Sequence, residues 1–451
     1  MPAAVVVGSS ELDGRRFRVL IAIAAAVGLA VRGWWVSYAT RTPQGLFDMA
    51  RYLGYGRAIA DGKGYVEFTG YPTAYYPPGY PYFAGIVTWL SRPFTDDATM
   101  PIALTQALLG VLTIVLVAYV ARRTAGRTVA VVAAFVYAIY PNLVMHTGVV
   151  LGETLNIFLT FVFVAIVVRR PMGEEQTWPW MVGAGAALGL GLLVRPVTGA
   201  LLLVLVAVWW LARRDDRRSV LRSTGFVVVG IVLCVAPWIV RNAIRMDAFV
   251  PMSTNTGDNL CIGYQPDADG SFAMSENCAI GDPFQGPASE IATDEEKTDY
   301  ALDQIRADPG RVPWLVWKRI DYTWVKNGDH DGLAWVQDWY TNPWMPKATR
   351  DRVIWWSDAF YWTVLATGAV GLAMLVRRRR PEGLLIVASF LTTAILPLAF
   401  FGESRFKVPA VPFLVIASAV AMVAAVDAVR GQSRRLSSTS REITGASRPV
   451  P

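Results

Sequence analysis

Asp48 lies just beyond an apolar run, in the stretch Asp48-Met49-Ala50-Arg51-Tyr52-Leu53-Gly54-Tyr55, and Tyr75-Tyr76-Pro77-Pro78-Gly79-Tyr80-Pro81 follows in the same polar loop. A carboxylate beside an arginine and phenols stays ionised even when half-buried, because the cation offsets the loss of water. Within hydrogen-bond reach of an incoming hydroxyl it can remove that proton, which is the work of a general base. A helix from Phe47 to Ala60 puts Asp48, Arg51, Tyr52 and Tyr55 on one stripe at i, i+3, i+4 and i+7. Met49, Leu53, Ile59 and Ala60 then turn toward the apolar side. The competing reading is structural: Asp favours a first helical turn whatever its chemistry. Pro77-Pro78-Gly79 fixes backbone shape, and Tyr75, Tyr76 and Tyr80 offer ring faces of the kind that stack on sugars or isoprenyl chains.

Further along, Glu153, Arg195, Arg241, Glu403, Arg405 and Lys407 come at or near the ends of apolar runs, all on the side that carries Asp48. Ionisable groups at membrane depth are costly and usually functional. Any one of them could instead reach along its own stem to water. The set together argues for a common site. Arg405 and Lys407 are placed to stabilise charge on a leaving phosphate, with Arg241 and Arg195 as weaker candidates. The only histidines are His146 and His330, and no His/Cys/Asp cluster has metal-ligand spacing, so no structural metal site is expected. Asp48 and Glu153 leave room for a divalent cation. No phosphate-cradling Walker loop, dinucleotide glycine pattern or serine-nucleophile motif appears.

These groups need a frame. The chain has 451 residues, 54% hydrophobic and 17% charged, with a mean hydropathy of +0.37. Soluble domains carry about a quarter charged residues. Apolar runs at 19–39, 101–120, 128–144, 151–168, 180–195, 197–212, 224–241, 354–376, 383–401 and 408–428 approach the ~20 residues that cross a bilayer. The expected fold class is an all-α polytopic membrane protein of about ten transmembrane helices. The net charge of +7 does not point to nucleic acid, because the basic residues sit in short clusters between apolar runs. Arg15 to Arg18, Arg122 to Arg127, Arg169-Arg170, Arg213 to Arg222, Arg377 to Arg380 and Arg430 to Arg435 all fall on one side if the spans alternate, and by the positive-inside rule that side is cytoplasmic.

The domain reading is a cytoplasmic tail at 1–18, spans one to seven over 19–241 with the first outer loop at 40–100, an extracytoplasmic loop domain at 242–353, spans eight to ten over 354–428, and a disordered cytoplasmic tail at 429–451. Residues 80–92 are apolar but too short to span, which fits an interfacial helix. No internal repeat is evident. Cys234 falls inside a span, whereas Cys261 and Cys278 share the long loop, where an oxidising exterior would permit a disulfide.

The Asp-x3-Tyr-x2-Tyr stretch, Ala58-Ile59-Ala60-Asp61-Gly62 and Tyr-Pro-Pro-Gly-Tyr-Pro resemble the first outer loop of GT-C-type glycosyltransferases, among them bacterial relatives of protein O-mannosyltransferases and of the aminoarabinose transferase acting on lipid A. Arg241-Asn242 and Val250 to Leu260 resemble the opening of that family's large outer loop, Ala301 to Gly310 and Trp317-Lys318 its later helix, and Glu403 to Pro412 its Arg-and-Pro motif before the last span. The resemblance covers all ten spans in order. It implies a polyprenyl-phosphate sugar donor, inversion at the anomeric carbon, Asp48 as the catalytic acid residue, and a second functional acid at Glu153 in Gly152-Glu153-Thr154-Leu155. The excess of Arg over Lys points to a bacterium, and the positive-inside topology puts the site on the outer face of its cytoplasmic membrane, among membrane lipids; the acceptor, an envelope lipid, glycan or protein, is left open. Protein O-mannosyltransferases commonly show Asp-Glu where this chain has Asp48-Met49, which speaks against a protein acceptor of that kind. A lipid or solute transporter is the alternative; such proteins usually show repeats or broken helices, and the sequence suggests neither. A scaffold that has kept the fold without the chemistry is the third.

Overall fold

The computed structural model describes residues 12–45, 48–337 and 344–445, with side chains through residue 430. Six of its helices are long and apolar enough to cross a membrane: Gly14–Ala39, Thr99–Ala125, Arg217–Arg245, Lys347–Arg378, Pro381–Ala399 and Ser404–Arg430. Three shorter apolar helices, Glu153–Val167, Trp178–Val194 and Pro196–Ala212, and one bent pair, Arg127–Ala138 with Pro141–Gly148, complete ten segments that match the ten apolar runs one for one. The protein is an all-α, multi-pass membrane protein. Among the described residues the only β pairing is two isolated bridges, Val66 with Pro72 and Ser271 with Gly402.

The third apolar run is not the continuous span its hydropathy suggests. It bends by 58° at Ile139–Tyr140, because Pro141 has no N–H to continue the first helix and is suited to start a second. Arg32, fully buried in the first span, satisfies the carbonyls freed there: Nη1 donates to Ala138 O at 2.8 Å and Nη2 to Tyr137 O at 3.4 Å. Elsewhere small residues permit close crossings. A methyl group at Gly185 or Gly230 would strike the backbone carbonyl of Val227 or Val182, so helices Trp178–Val194 and Arg217–Arg245 meet backbone to backbone there.

Between the first two spans lie helix Asp48–Ala60 and helix Gly79–Ser91. The second matches the expected interfacial helix: Tyr82, Ile86, Trp89 and Leu90 are exposed along it, while Tyr80, Ala84, Val87 and Thr88 are buried. The long loop folds into a lobe of helices Thr256–Tyr264, Pro287–Ala307, Arg311–Ile320 and Asp331–Gln337, and Cys261 and Cys278 are joined by a disulfide. Buried Arg319 fastens this lobe to the end of helix Pro381–Ile395, donating to Leu398 O at 3.0 Å, Ala399 O at 3.1 Å and Gly263 O at 2.6 Å.

Helix Val411–Gly445 continues past residue 428 into the stretch expected to form the carboxy-terminal tail, with no proline to interrupt it after Pro412. Residues 446–451 lie outside the described residues, as do 1–11 of the amino-terminal tail, and the first helix already begins at Gly14.

Candidate functional site

Asp48 is the first residue of helix Asp48–Ala60, and Glu153 is the first of helix Glu153–Val167. Each carboxylate therefore sits at the positive end of a helix dipole. Arg405 enters between them from the short 3₁₀ helix Ser404–Ala410. Its Nη1 donates to Asp48 Oδ2 at 2.8 Å, and its Nε donates to Glu153 Oε1. Arg195, the residue that ends helix Trp178–Val194, donates to the same Glu153 oxygen. The Tyr76 hydroxyl donates to Asp48 Oδ1 at 2.7 Å.

Five residues from five separate stretches thus form one chain of contacts, Arg195–Glu153–Arg405–Asp48–Tyr76. Glu153 is fully buried, whereas the Asp48 side chain is 30% exposed, so Asp48 is the member that solvent or a substrate reaches. Trp335 covers the Arg405 guanidinium at 5.3 Å. Burial first, and then the charge of Asp48, hold the Tyr76 phenol well above its ordinary value, which keeps it a donor. Glu403 stands two residues before Arg405, and burial pushes its carboxyl up to about 7; Arg405 opposes that rise, while Asp331, Asp48 and Glu153 add to it.

Not every expected residue joins this chain. Lys407 is fully buried, donating to Thr323 O at 3.0 Å and to Gly328 O, with Asp329 Oδ1 at 3.5 Å. An extended turn would have aligned residues 405 and 407 on one face, but a 3₁₀ helix advances about a third of a turn per residue and sends them apart. Arg241 donates to Thr73 O at 2.7 Å, to Tyr65 O and to Asn242 Oδ1 at 2.9 Å, so its guanidinium tethers the first loop and does not reach the Asp48 cluster.

Among the expected substrate-binding rings, Tyr52 and Tyr76 flank Asp48, with ring centroids 5.0 Å apart. Tyr55 and Tyr80 are framework. Tyr55 is buried and donates to Glu67, and Tyr80 is buried and donates to Gln106 Oε1 at 3.0 Å. The helix stripe read from sequence counted Tyr55 as open; the segment carrying Glu67 folds back over it. Arg51 lies 3.4 Å from Glu67 and stacks on Phe284 at 4.5 Å and Tyr75 at 4.9 Å, while Tyr75 donates to Asp258 of the lobe.

Sequence reading missed the groups that hold the first loop. Buried Glu290 accepts from the Thr73 hydroxyl at 2.6 Å, from Ala74 N at 2.8 Å and from Thr254, fixing the segment that carries Tyr75 and Tyr76. It also missed a buried network behind the cleft. Asp331 accepts from Asn142 at 2.6 Å and lies 2.9 Å from His146 Nε2, while Asp329 accepts from Tyr140 at 2.6 Å. Burial opposes ionisation of Asp331, but His146 outweighs it and holds the carboxyl below its usual range. These partners stand more than 180 positions apart in the chain, and such pairings leave no local signal.

Asp48 and Glu153 do not fit a divalent cation. A guanidinium already stands between them, Glu153 is taken by two arginines, and among the described residues no group of three or more His, Cys, Asp or Glu could hold a metal.

Beside the cluster a groove of about 420 Å³ opens between helices Gly79–Ser91, Glu153–Val167, Trp178–Val194 and Arg217–Arg245. Gly79, Leu155, Val194, Leu190, Cys234 and Trp238 line it, and almost all of its wall is apolar. Val194 precedes Arg195, Leu155 lies two residues after Glu153, and Arg241 is the one charged residue among those that line the groove.

Residues 76–240, just over a third of the chain, match the family model described as dolichyl-phosphate-mannose-protein mannosyltransferase. Comparison with characterised protein sequences gives no match. Among solved structures, the archaeal oligosaccharyltransferase AglB from Archaeoglobus fulgidus, in complex with an inhibitory peptide and a dolichol-phosphate, is similar at a TM-score of 0.53 and 13% identity, over 94% of this chain and 52% of that one. The apo form of the Archaeoglobus fulgidus oligosaccharyltransferase gives 0.53 and 14%, over 98% and 54%. ArnT from Cupriavidus metallidurans bound to undecaprenyl phosphate gives 0.43 and 16%, over 88% and 77%. The chain spans about half the length of the archaeal enzymes it matches.

Proposed function

We propose that this chain, a GT-C superfamily membrane protein, moves a sugar from a polyprenyl-phosphate donor to an acceptor at the membrane face opposite the arginine clusters, with inversion at the anomeric carbon. The observation that carries this reading is Arg405 bridging Asp48 and Glu153 at the head of an apolar groove. A lipid-linked phosphate must sit at the membrane surface, because its chain stays in hydrocarbon. In this reading the groove takes the first part of that chain, and the phosphate meets the donors of Arg405 and Arg195 that contact no described residue. The dolichol-phosphate in the archaeal neighbour's structure is consistent with such a donor.

Charge grows on the phosphate as the bond to the anomeric carbon breaks, and fixed guanidinium groups stabilise it where it forms. Glu153, buried and shared by both arginines, orients them. Asp48, the exposed carboxylate, takes the proton of the acceptor hydroxyl as its oxygen bonds to the anomeric carbon. The sugar class is hexosyl or pentosyl; the acceptor is an envelope lipid, glycan or protein; the setting is a bacterial cytoplasmic membrane with the site outward.

Asp48→Asn tests the assignment. Protein reconstituted in nanodiscs with polyprenyl-phosphate sugars should lose transfer by about a thousandfold, while donor binding and thermal stability stay near wild type. Wild-type-like turnover by this variant removes Asp48 as the base. Translocation of donor lipid in vesicles without any sugar transfer would favour the transporter alternative.

A further inference from the structure

We infer that Trp335 is a positioning residue for the transfer: its indole face holds the Arg405 guanidinium in register with Asp48 and Glu153. This rests on the transferase reading and extends it by one residue. Arg405 is held at its rim, where Asp48 Oδ2 accepts from Nη1 at 2.8 Å and Glu153 accepts from Nε. Hydrogen bonds of this kind run in the guanidinium plane, so they leave its faces to other groups. Trp335 takes a face. Arg405 Cζ lies over the indole, 5.3 Å from its centroid, inside the roughly 6 Å at which an aromatic face attracts a cation. A ring in that place keeps water off the charge and competes for none of the N–H donors, which stay available to a phosphate.

The ring is fixed by what holds its helix. Trp335 is buried one turn after Asp331 on helix Asp331–Gln337, so the two residues share a face. At the start of that helix Asp331 accepts from Asn142 at 2.6 Å and lies 2.9 Å from His146 Nε2, and Gly332 N donates to Asn142 Oδ1 at 3.0 Å. A methyl at Gly332 would lie 2.7 Å from Met145 Cβ, so the first turn sits flush against the second half of the bent third span. At the far end Met345 N donates to Gln337 Oε1 at 3.0 Å, and Gln337 Nε2 donates to Met345 O at 3.3 Å. A helix of seven residues has little stability of its own. Anchored at both ends, it sets the indole on the guanidinium. The competing account is packing alone, since Trp335 shares an apolar cluster with Leu333, Val336, Val144 and Met145.

The experiment changes the ring's charge distribution and leaves its size nearly constant. Progressively fluorinated tryptophans are placed at position 335 by stop-codon suppression, and kcat, donor KM and thermal stability are measured in nanodiscs with a polyprenyl-phosphate sugar. Each fluorine weakens the negative face of the ring. kcat should fall stepwise, by about tenfold for the most fluorinated ring, with donor KM and stability near wild type. Trp335→Phe, which keeps a π face, should stay within about threefold of wild-type kcat, and Trp335→Leu, which fills space without one, should lose about tenfold. A fluorinated series that holds wild-type kcat overturns the inference, as does Trp335→Leu matching Trp335→Phe at equal stability; either result leaves the transferase reading standing. Absence of transfer by the wild type overturns both.

Discussion

Arg405→Lys is the sharpest perturbation of this site, because it keeps the charge and removes the shape. The guanidinium contacts Glu153 through Nε and Asp48 through Nη1 at 2.8 Å, on two different helices. A single ammonium is a point donor and cannot reproduce that fork. One charge-assisted hydrogen bond of this kind contributes about 1.5–3 kcal/mol. Losing a donor aimed at developing charge costs about 2.7–4 kcal/mol in activation free energy. The two figures describe overlapping effects, so the expected loss is about 2–4 kcal/mol, or roughly 30- to 1,000-fold in turnover. Because the charge being stabilised grows in the transition state, the loss should fall on kcat more than on donor KM. The folded state should lose less, since Arg195 still neutralises Glu153. The assay is steady-state transfer from a polyprenyl-phosphate sugar in nanodiscs, with thermal unfolding as control. An Arg405→Lys enzyme within fivefold of wild-type kcat, at unchanged stability, would refute the reasoning.

Lys407→Met should behave in the opposite way. Removing a buried cation that pairs with Asp329 leaves an uncompensated carboxylate, at a cost of about 3–5 kcal/mol, so thermal stability falls while kcat per folded molecule holds; a donor-KM effect without loss of stability would return Lys407 to the phosphate. Gly79→Val should close the head of the groove, because even a Cβ there would lie 2.8 Å from the Leu193 backbone and from Val194. Overpacking of this kind costs about 1–3 kcal/mol, and donor affinity measured with polyprenyl phosphate alone should fall about tenfold. Unchanged affinity would place the lipid chain elsewhere.

What could be read from the sequence was what repeats locally. Ten apolar runs became ten apolar segments, because hydropathy over some twenty residues is a property of each run alone. Asp48, Glu153 and Arg405 stood out because charged groups at the ends of apolar runs are rare, and the fold brings all three together. What escaped depends on pairing across the chain or on backbone type. Lys407 was grouped with Arg405 because spacing cannot tell a 3₁₀ turn from an extended one. Tyr55 was counted as open because nothing in its own helix announces that Glu67 covers it. Glu290 sits among Ser289, Glu295 and Glu296 in a polar helix and looks like any solvated acid, yet it is the one that grips Thr73 and Ala74.

The bend after Ala138 is the feature that most favours a transporter, since broken helices at membrane depth commonly line a moving ion or substrate path. Its surroundings argue otherwise. The carbonyls it frees are occupied by Arg32, itself wedged against Gly28 and Gly110 so that a methyl at either would collide with a side chain. Beyond the bend, Asn142 and His146 bind Asp329 and Asp331 of the lobe, and Lys407 seals Asp329 from the other side. A moving gate would have to break a buried guanidinium cap and a buried ion pair together, each worth several kcal/mol once a partner is left behind. The bend is better understood as a fixed elbow. It ends the span early and presents Asn142 and His146 to the lobe, and the following turn starts helix Glu153–Val167 with its first residue against Arg405. Irregular backbone within the membrane is tolerated where protein buries it, and here what it supports is the position of a carboxylate.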